Sequence, residues 1–252
     1  MSEPRRVRSF ASNSPEYHRA FQAFLDHTDQ KNKAMAWLNR EVDSLPSRSV
    51  GIDAGAGSGT LTRWLVPQFE SVVAIEPNPS LVAELRGACP GVLVIPDVIT
   101  AASPSSRADF VLCSHVFYYI PRAQWDPTLR TMKNWLAPGG VLAVALQNPA
   151  TDCMRMVDHF IGGRFDLDEL RRATEAEGDQ YETRVETVPA QIQAPSLDVA
   201  CEICEFVLNS LPMPSPPAWD DLADYVEERF KQPDGRYRWS CDQDFLKVTR
   251  AS

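Results

Sequence analysis

Asp53, Gly55, Gly57 and Gly59 stand at alternate positions in the stretch VGIDAGAGSGTLTRWL, residues 50–65. A short apolar run leads into them and a helical pattern leaves them. Glycines in such a turn reach positive φ and let a ligand approach the backbone closely. In an open α/β sheet a turn after the first strand lies beyond the carboxyl ends of the strands, where these sheets bind ligands. Two kinds of ligand compete for it. A dinucleotide calls for G-x-G-x-x-G and brings its pyrophosphate to a bare helix N-terminus. Here the pattern is an acid followed by G-x-G-x-G. A carboxylate beside the turn suits a cation better than a pyrophosphate.

More candidate residues follow in order. Glu76 ends VVAIE, 17 residues after Gly59. An acid at that strand end can accept hydrogen bonds from both hydroxyls of a ribose, a feature shared with nicotinamide enzymes. Asp97 follows the third apolar run in IPD, and DFVLCSHVFYYI brings His115, Tyr118 and Tyr119 after the fourth. WLAPGGVLAVAL then carries an L-x-P-G-G turn before a fifth run.

These residues need strand ends and helix starts to hold them. The runs SVGIDAG, SVVAIEP, VLVIPDV, ADFVLC and VLAVALQNP are short, continuous and rich in Val, Ile and Leu. Parallel strands buried on both faces read that way. Helical stretches alternate with them: GTLTRWLVPQF, PSLVAELRGACP, and QWDPTLRTMKNWLAPGG, expected to end at Pro138. The alternation predicts a doubly wound α/β sheet. Before it, residues 1–14 read as irregular. SPEYHRAFQAFLDHTDQKNKAMAWLNREV has helical spacing, with Tyr17, Phe21, Phe24 and Leu25 on one face and Ser14-Pro15 as cap and first turn. After about residue 150, TDCMRMVDHFIG, DLDELRRATEAEG, PSLDVACEICEFVLNSL and WDDLADYVEERFKQ read as helices. YETRVETVPAQI reads as one strand, LPMPSPPAW as a rigid loop and DQDFLKVTR as a closing strand.

Acid-x-G-x-G-x-G, the second and third strand-end acids and the L-x-P-G-G turn together resemble the class I S-adenosylmethionine-dependent methyltransferases. The resemblance implies a Rossmann-like, seven-stranded, mostly parallel sheet. It assigns S-adenosyl-L-methionine (product S-adenosyl-L-homocysteine) to Asp53, Gly55, Gly57, Gly59, Glu76, Pro77, Asp97, Val98 and Ser114. In that family the third acid commonly meets the adenine amino group. A nicotinamide dehydrogenase is the competing reading of the same turn, and ordinary turn glycines and strand-end acids are the bland one.

A second resemblance bears on the acceptor. YHRAFQAFLDHTDQK, SHVFYYI, DLDELRRATEAEGDQYETRVETVPAQI and DFLKVTR resemble stretches of histamine N-methyltransferase in layout. It implies an N-terminal helical lid over 1–45, a cofactor-binding core over 46–150, a small substrate-covering insertion over 151–240 and a closing strand over 241–252. Carried over by position, Tyr17, Phe21 and Gln30 from the lid and His115, Tyr118 and Tyr119 from the loop would line an aromatic acceptor pocket. Tyr17 and Phe21 also read as a helix-to-sheet core face. Two departures matter: the family's lid carboxylate aligns with Gln30, and its substrate-binding glutamine with His115. Histamine is therefore not the expected substrate. Asp26 and Asp29 lie within one turn of Gln30. The expected chemistry is an in-line methyl transfer to a nitrogen of a small molecule, with catalysis largely by positioning. An oxygen acceptor is the alternative, with His115 as base or orienting donor beside Tyr118 and Tyr119. A protein methyltransferase and a non-catalytic S-adenosylmethionine-binding protein complete the rivals. His18, His27 and His159 have weaker cases.

Composition excludes other classes. The net charge is −9 and the pI about 5.0, whereas phosphate contacts demand a basic face; no nucleic-acid partner is expected. No stretch approaches the ~20 apolar residues of a membrane span, and the basic N-terminus has no apolar segment behind it. A cytoplasmic monomer or homodimer is expected. Cys201 and Cys204 form a lone C-x-x-C within a helical pattern, which reads as two small buried residues, and no His, Cys or carboxylate set predicts a metal.

Overall fold

The computed structural model describes residues 5–10, 14–176, 178, 180–211 and 213–251. Residues 1–4 and 11–13 of the stretch expected to be irregular, and the side chain of His18, lie outside the described residues. The chain forms two compact units. One comprises Met1–Ala36, Gln147–Phe165 and Thr187–Gln243; the other comprises Trp37–Leu146, Asp166–Glu186 and Asp244–Ser252.

The second unit is built on a seven-stranded α/β sheet. Its strands are β1 (Val50–Ala54), β2 (Ser71–Ile75), β3 (Leu93–Ile95), β4 (Ala108–Ser114), β5 (Leu136–Gln147), β6 (Tyr181–Val188) and a closing strand, Gln243–Arg250. The order runs β3-β2-β1-β4-β5, then the closing strand, then β6. β3, β2, β1, β4 and β5 pair in parallel, so their carboxyl ends share one edge. The chain runs out from β1 towards β3 and back across to β4, and the reversal falls between β1 and β4. That is the switch point at which ligands bind. Helices α3 (Thr60–Leu65), α4 (Pro79–Ala88) and α5 (Trp125–Trp135) alternate with the strands, and α7 (Leu167–Glu175) packs on α5. Gly51 lets the Phe69 ring close on β1, since a Cβ there would lie 2.9 Å from Cδ2. Buried Glu41 accepts from Lys247 at 2.6 Å and Arg184 at 3.1 Å, which ties the end of α2 (Gln30–Asp43) to the sheet.

The helix expected to reach Pro138 ends at Trp135, and Leu136 already pairs with Ala108 in the β4–β5 ladder. The register then jumps, Phe110 pairing with Val141. A bulge tolerates a proline without an N–H, and it presses the chains together: a Cβ on Gly140 would lie 2.7 Å from the Ala108 carbonyl oxygen.

The first unit is mainly helical. Its elements are α1 (Pro15–His27), the start of α2, α6 (Asp152–Phe160), α8 (Leu197–Leu208), α9 (Trp219–Phe230) and a two-stranded antiparallel sheet of β7 (Gln191–Ala194) and β8 (Tyr237–Ser240). The Gln243–Arg250 strand is β9. The N-terminal helical stretch is two helices, because extended Thr28 ends α1 and its Oγ1 accepts from the Gln30 N–H at 3.2 Å. The strand expected over 181–192 divides at Pro189 into β6 and β7. Caps match the sequence signals: Ser14, Thr151 and Ser196 each accept a backbone N–H three residues on.

Candidate functional site: the carboxyl edge of the sheet

Asp53 ends β1 with 2% of its surface exposed, and its Oδ2 accepts from Thr62 Oγ1 at 2.6 Å. Burial pushes the carboxyl up to about 6, and the nearby Glu76 pushes the same way against the Thr62 hydrogen bond. A carboxylate so held gains from a cation placed beside it. The turn that follows is anchored by the Gly55 and Ala56 N–H groups on the Ile75 carbonyl, at 2.8 and 3.0 Å.

The three glycines have different reasons. A Cβ on Gly55 would stand 2.3 Å from Val116 Cγ2, so the loop after β4 rests on this turn. Gly59 has φ 93°, and a Cβ there would stand 2.7 Å from Leu85 Cδ1 of α4. Gly57 has φ 55°, and a Cβ there would meet nothing within 4 Å. Packing therefore accounts for Gly55 and Gly59, whereas at Gly57 the bare backbone faces open space.

Glu76 is buried at the end of β2. Its Oε2 accepts from the Gly57 N–H and its Oε1 from the Asn78 N–H, both at 2.9 Å. A carboxylate oxygen takes more than one hydrogen bond, so both oxygens keep acceptor capacity. Pro77 is exposed next to it. At the end of β3, Asp97 is exposed and accepts from the Val98 N–H at 2.8 Å, while Val98 leaves 49% of its apolar surface uncovered. Asp53, Glu76 and Asp97 thus stand at or just past the carboxyl ends of three adjacent strands, β1, β2 and β3.

Ser114 ends β4 opposite Ala145, and the His115 N–H donates to the Ala145 carbonyl at 2.8 Å. His115 has φ 58°, the one positive φ outside glycine among the described residues. Its ring stacks on Tyr118 with centroids 5.8 Å apart, and burial lowers its pKa to about 4. The imidazole is therefore neutral near pH 7. Phe117 is fully buried beneath this loop, and Tyr119 is 66% exposed.

One edge of the second unit thus carries Asp53, the glycines, Glu76, Pro77, Asp97, Val98, Ser114, His115, Tyr118 and Tyr119. Tyr17, Phe21 and Gln30 belong to the first unit. There Tyr17, Phe21 and Phe24 surround Phe206 of α8 at ring distances of 5.5, 5.4 and 5.3 Å, with Phe21 still 36% exposed. Gln30 is buried, and its Nε2 donates to the Cys241 carbonyl at 2.5 Å. Asp26 accepts from Gln22, and Asp29 from the Gln191 N–H and Lys33. His27 Nδ1 lies 2.7 Å from the Ala23 carbonyl oxygen, and the His159 ring packs between Phe160 and Tyr225. Cys201 and Cys204 are buried free thiols whose pKa burial raises, which keeps them protonated and unreactive. Among the described residues no group of three or more His, Cys, Asp or Glu side chains could hold a metal ion, and no helix is long and apolar enough to cross a membrane.

Sequence reasoning missed Thr62, Asn78 and Val116. Thr62 sits in the first turn of α3, where a hydroxyl can reach back to the strand it follows, a signal that was legible. Val116 carried none.

The family profile described as "Methyltransferase domain" matches residues 25–202. The trans-aconitate 2-methyltransferase of Methylobacterium nodulans is 28% identical over 141 residues, 53% of this chain and 53% of that protein, so the match spans about half the relative's length. The N-methyltransferase NodS from Bradyrhizobium japonicum, in complex with S-adenosyl-L-homocysteine, superposes with a TM-score of 0.54 at 16% identity, covering 95% of this chain and 100% of that one. The YcgJ protein from Bacillus subtilis superposes with a TM-score of 0.59 at 12% identity, covering 85% and 98%. At these identities the two structures speak for the fold.

Proposed function

The chain belongs to the methyltransferase-domain family, and we propose that it is an S-adenosylmethionine-dependent enzyme that methylates a carboxylate oxygen of a small organic acid at the carboxyl edge of its sheet. When bound, S-adenosylmethionine supplies an electrophilic methyl group on a sulfonium. This chain's residues do the rest. Glu76 accepts the ribose hydroxyls, the Gly57 backbone admits the cofactor's amino-acid end, and Asp53 offsets its positive charge. Asp97 and Val98 meet the adenine. Ser114, His115, Tyr118 and Tyr119 face the acceptor.

The observation that carries this reading is the placing of His115 just past the end of β4, with φ 58° and its ring stacked on Tyr118, where burial lowers the imidazole's pKa to about 4. Such a ring is a weak base, poorly matched to a phenol near pKa 10. It serves well as an N–H donor that orients an oxygen. A carboxylate is already ionised at neutral pH and needs orientation alone. The methyl acceptor in the name of the Methylobacterium nodulans relative is an acid, which supports the same choice.

The nitrogen acceptor expected from the sequence is the second reading. The exposed ring of Tyr119 favours it, because aromatic faces attract ammonium groups.

Transfer from isotope-labelled S-adenosylmethionine to a panel of organic acids, amines and phenols tests both. A product that loses its methyl group in mild base is an ester and supports the acid reading. A base-stable N-methyl product replaces it with the second.

A further inference from the structure

The loop between β4 and α5 is braced from behind. Fully buried Phe117 meets the Trp125 ring edge-on, with centroids 5.1 Å apart. Trp125 Nε1 donates to the Ile120 carbonyl at 3.1 Å. The Arg122 guanidinium lies 3.8 Å over the Trp125 ring, and its outer end forms an ion pair with Glu169 of α7. Arg122 and Glu169 are about half exposed, at 47% and 48%. An exposed ion pair alone contributes little. Here it fixes a guanidinium already flat on an indole, and stacking and pairing favour the same rotamer.

What the brace opposes is local strain. His115 holds φ 58°, a conformation costly for a residue with a Cβ, which persists only when its surroundings over-determine it. One end of the strained segment is fixed by the His115 N–H on Ala145. The other end, Ile120, is fixed through Trp125.

We propose that Arg122 and Glu169 are positioning residues for the acceptor: through Trp125 they hold the His115–Ile120 segment in its strained form, so that α7 sets where His115 and Tyr119 stand. The inference rests on the proposed function in one respect, that this segment meets the acceptor.

The test compares wild type, Arg122→Ala, Glu169→Gln and the double variant. It reads acceptor KM, kcat, S-adenosylhomocysteine affinity, melting temperature and amide exchange of the 115–120 peptide. Each single variant should raise acceptor KM about three- to tenfold and speed exchange in that peptide about tenfold. Cofactor affinity and melting temperature should change little. The double variant should be no worse than Arg122→Ala, because the pair acts as one. An active wild type whose variants keep KM and exchange unchanged overturns the brace and spares the function. Loss of cofactor affinity and melting temperature in step with KM makes the residues merely structural, which also overturns it. A wild type that methylates nothing in the panel overturns the proposed function and the positioning role with it, whatever the exchange shows.

Discussion

The glycine turn after β1 and the Tyr17–Phe21–Phe24 face of α1 were both singled out from residue type and spacing, and they differ in what their residues are asked to do; the face packs around Phe206. At the turn, backbone conformation and bonding leave few choices. Gly59 must take φ 93° beside Leu85, and Gly57 must give its N–H to Glu76. In the cluster, Tyr17, Phe21 and Phe24 meet a ring on another helix, a demand that many apolar side chains satisfy. Backbone requirements therefore narrow what a position can hold, whereas a face of apolar side chains asks only for packing.

The largest effect that would sharpen this contrast is on stability. Phe206→Ala removes the ring at the centre of the cluster and should cost about 3–5 kcal/mol in urea unfolding. Phe21→Ala, on a ring already 36% exposed, should cost about 1 kcal/mol or less. Equal losses would mean that Phe21 belongs to the core as fully as Phe206.

Next come the glycines. Gly59→Ala adds a Cβ at 2.7 Å from Leu85 in a left-handed conformation and should destabilise by about 2–3 kcal/mol. Gly57→Ala meets no protein atom within 4 Å. Its folding cost should stay near 1 kcal/mol, while cofactor affinity, read by calorimetry, falls further. The reverse ranking would remove Gly57 from the cofactor's path.

Asp53 should set function against stability. Its carboxyl titrates near 6 in the folded chain against 3.8 for the free side chain, so folding takes up a proton between about pH 4 and 6. Stability from this group therefore falls as pH rises through that window. Asp53→Asn should stabilise the protein at pH 7.5 by about 1–3 kcal/mol and weaken cofactor binding. A bound cation draws the carboxyl back down, so wild-type cofactor affinity should rise from pH 5 to 7 and then level. The Asn variant should lose that slope; keeping it would move the titration to another group. His115 acts in the opposite sense. Its folded pKa near 4 lies below 6.5, so its contribution is present above about 6.5 and is lost as pH falls towards 4.

The smallest effect expected is on the acid side of turnover. With its pKa near 4, His115 should add no step to the rate near pH 6.5. A step there that vanishes in His115→Gln would show a titrating base in place of a neutral donor.

The doubly wound sheet was legible because buried parallel strands leave continuous Val, Ile and Leu runs between helix periods. The carboxyl-edge acids were legible because their places are fixed by strand ends. Three features were hidden. The start of β5 was covered by the Pro138-Gly139-Gly140 bulge, which reads as a turn. β8 (Tyr237–Ser240) is short and owes its shape to pairing with β7. Gln30, aligned with a lid position, is engaged by the Cys241 carbonyl, a contact across the chain that spacing cannot reveal. Within the carboxyl edge itself, Val116 against Gly55 was invisible for the same reason.

The most direct test of the cofactor site is a calorimetric titration of S-adenosyl-L-homocysteine into wild type and Glu76→Ala. Loss of the acceptor for the ribose hydroxyls should weaken binding by about 1–3 kcal/mol, roughly ten- to a hundredfold, with the fold intact. Equal affinity in the two proteins would contradict the assignment of the cofactor to the carboxyl ends of β1 and β2.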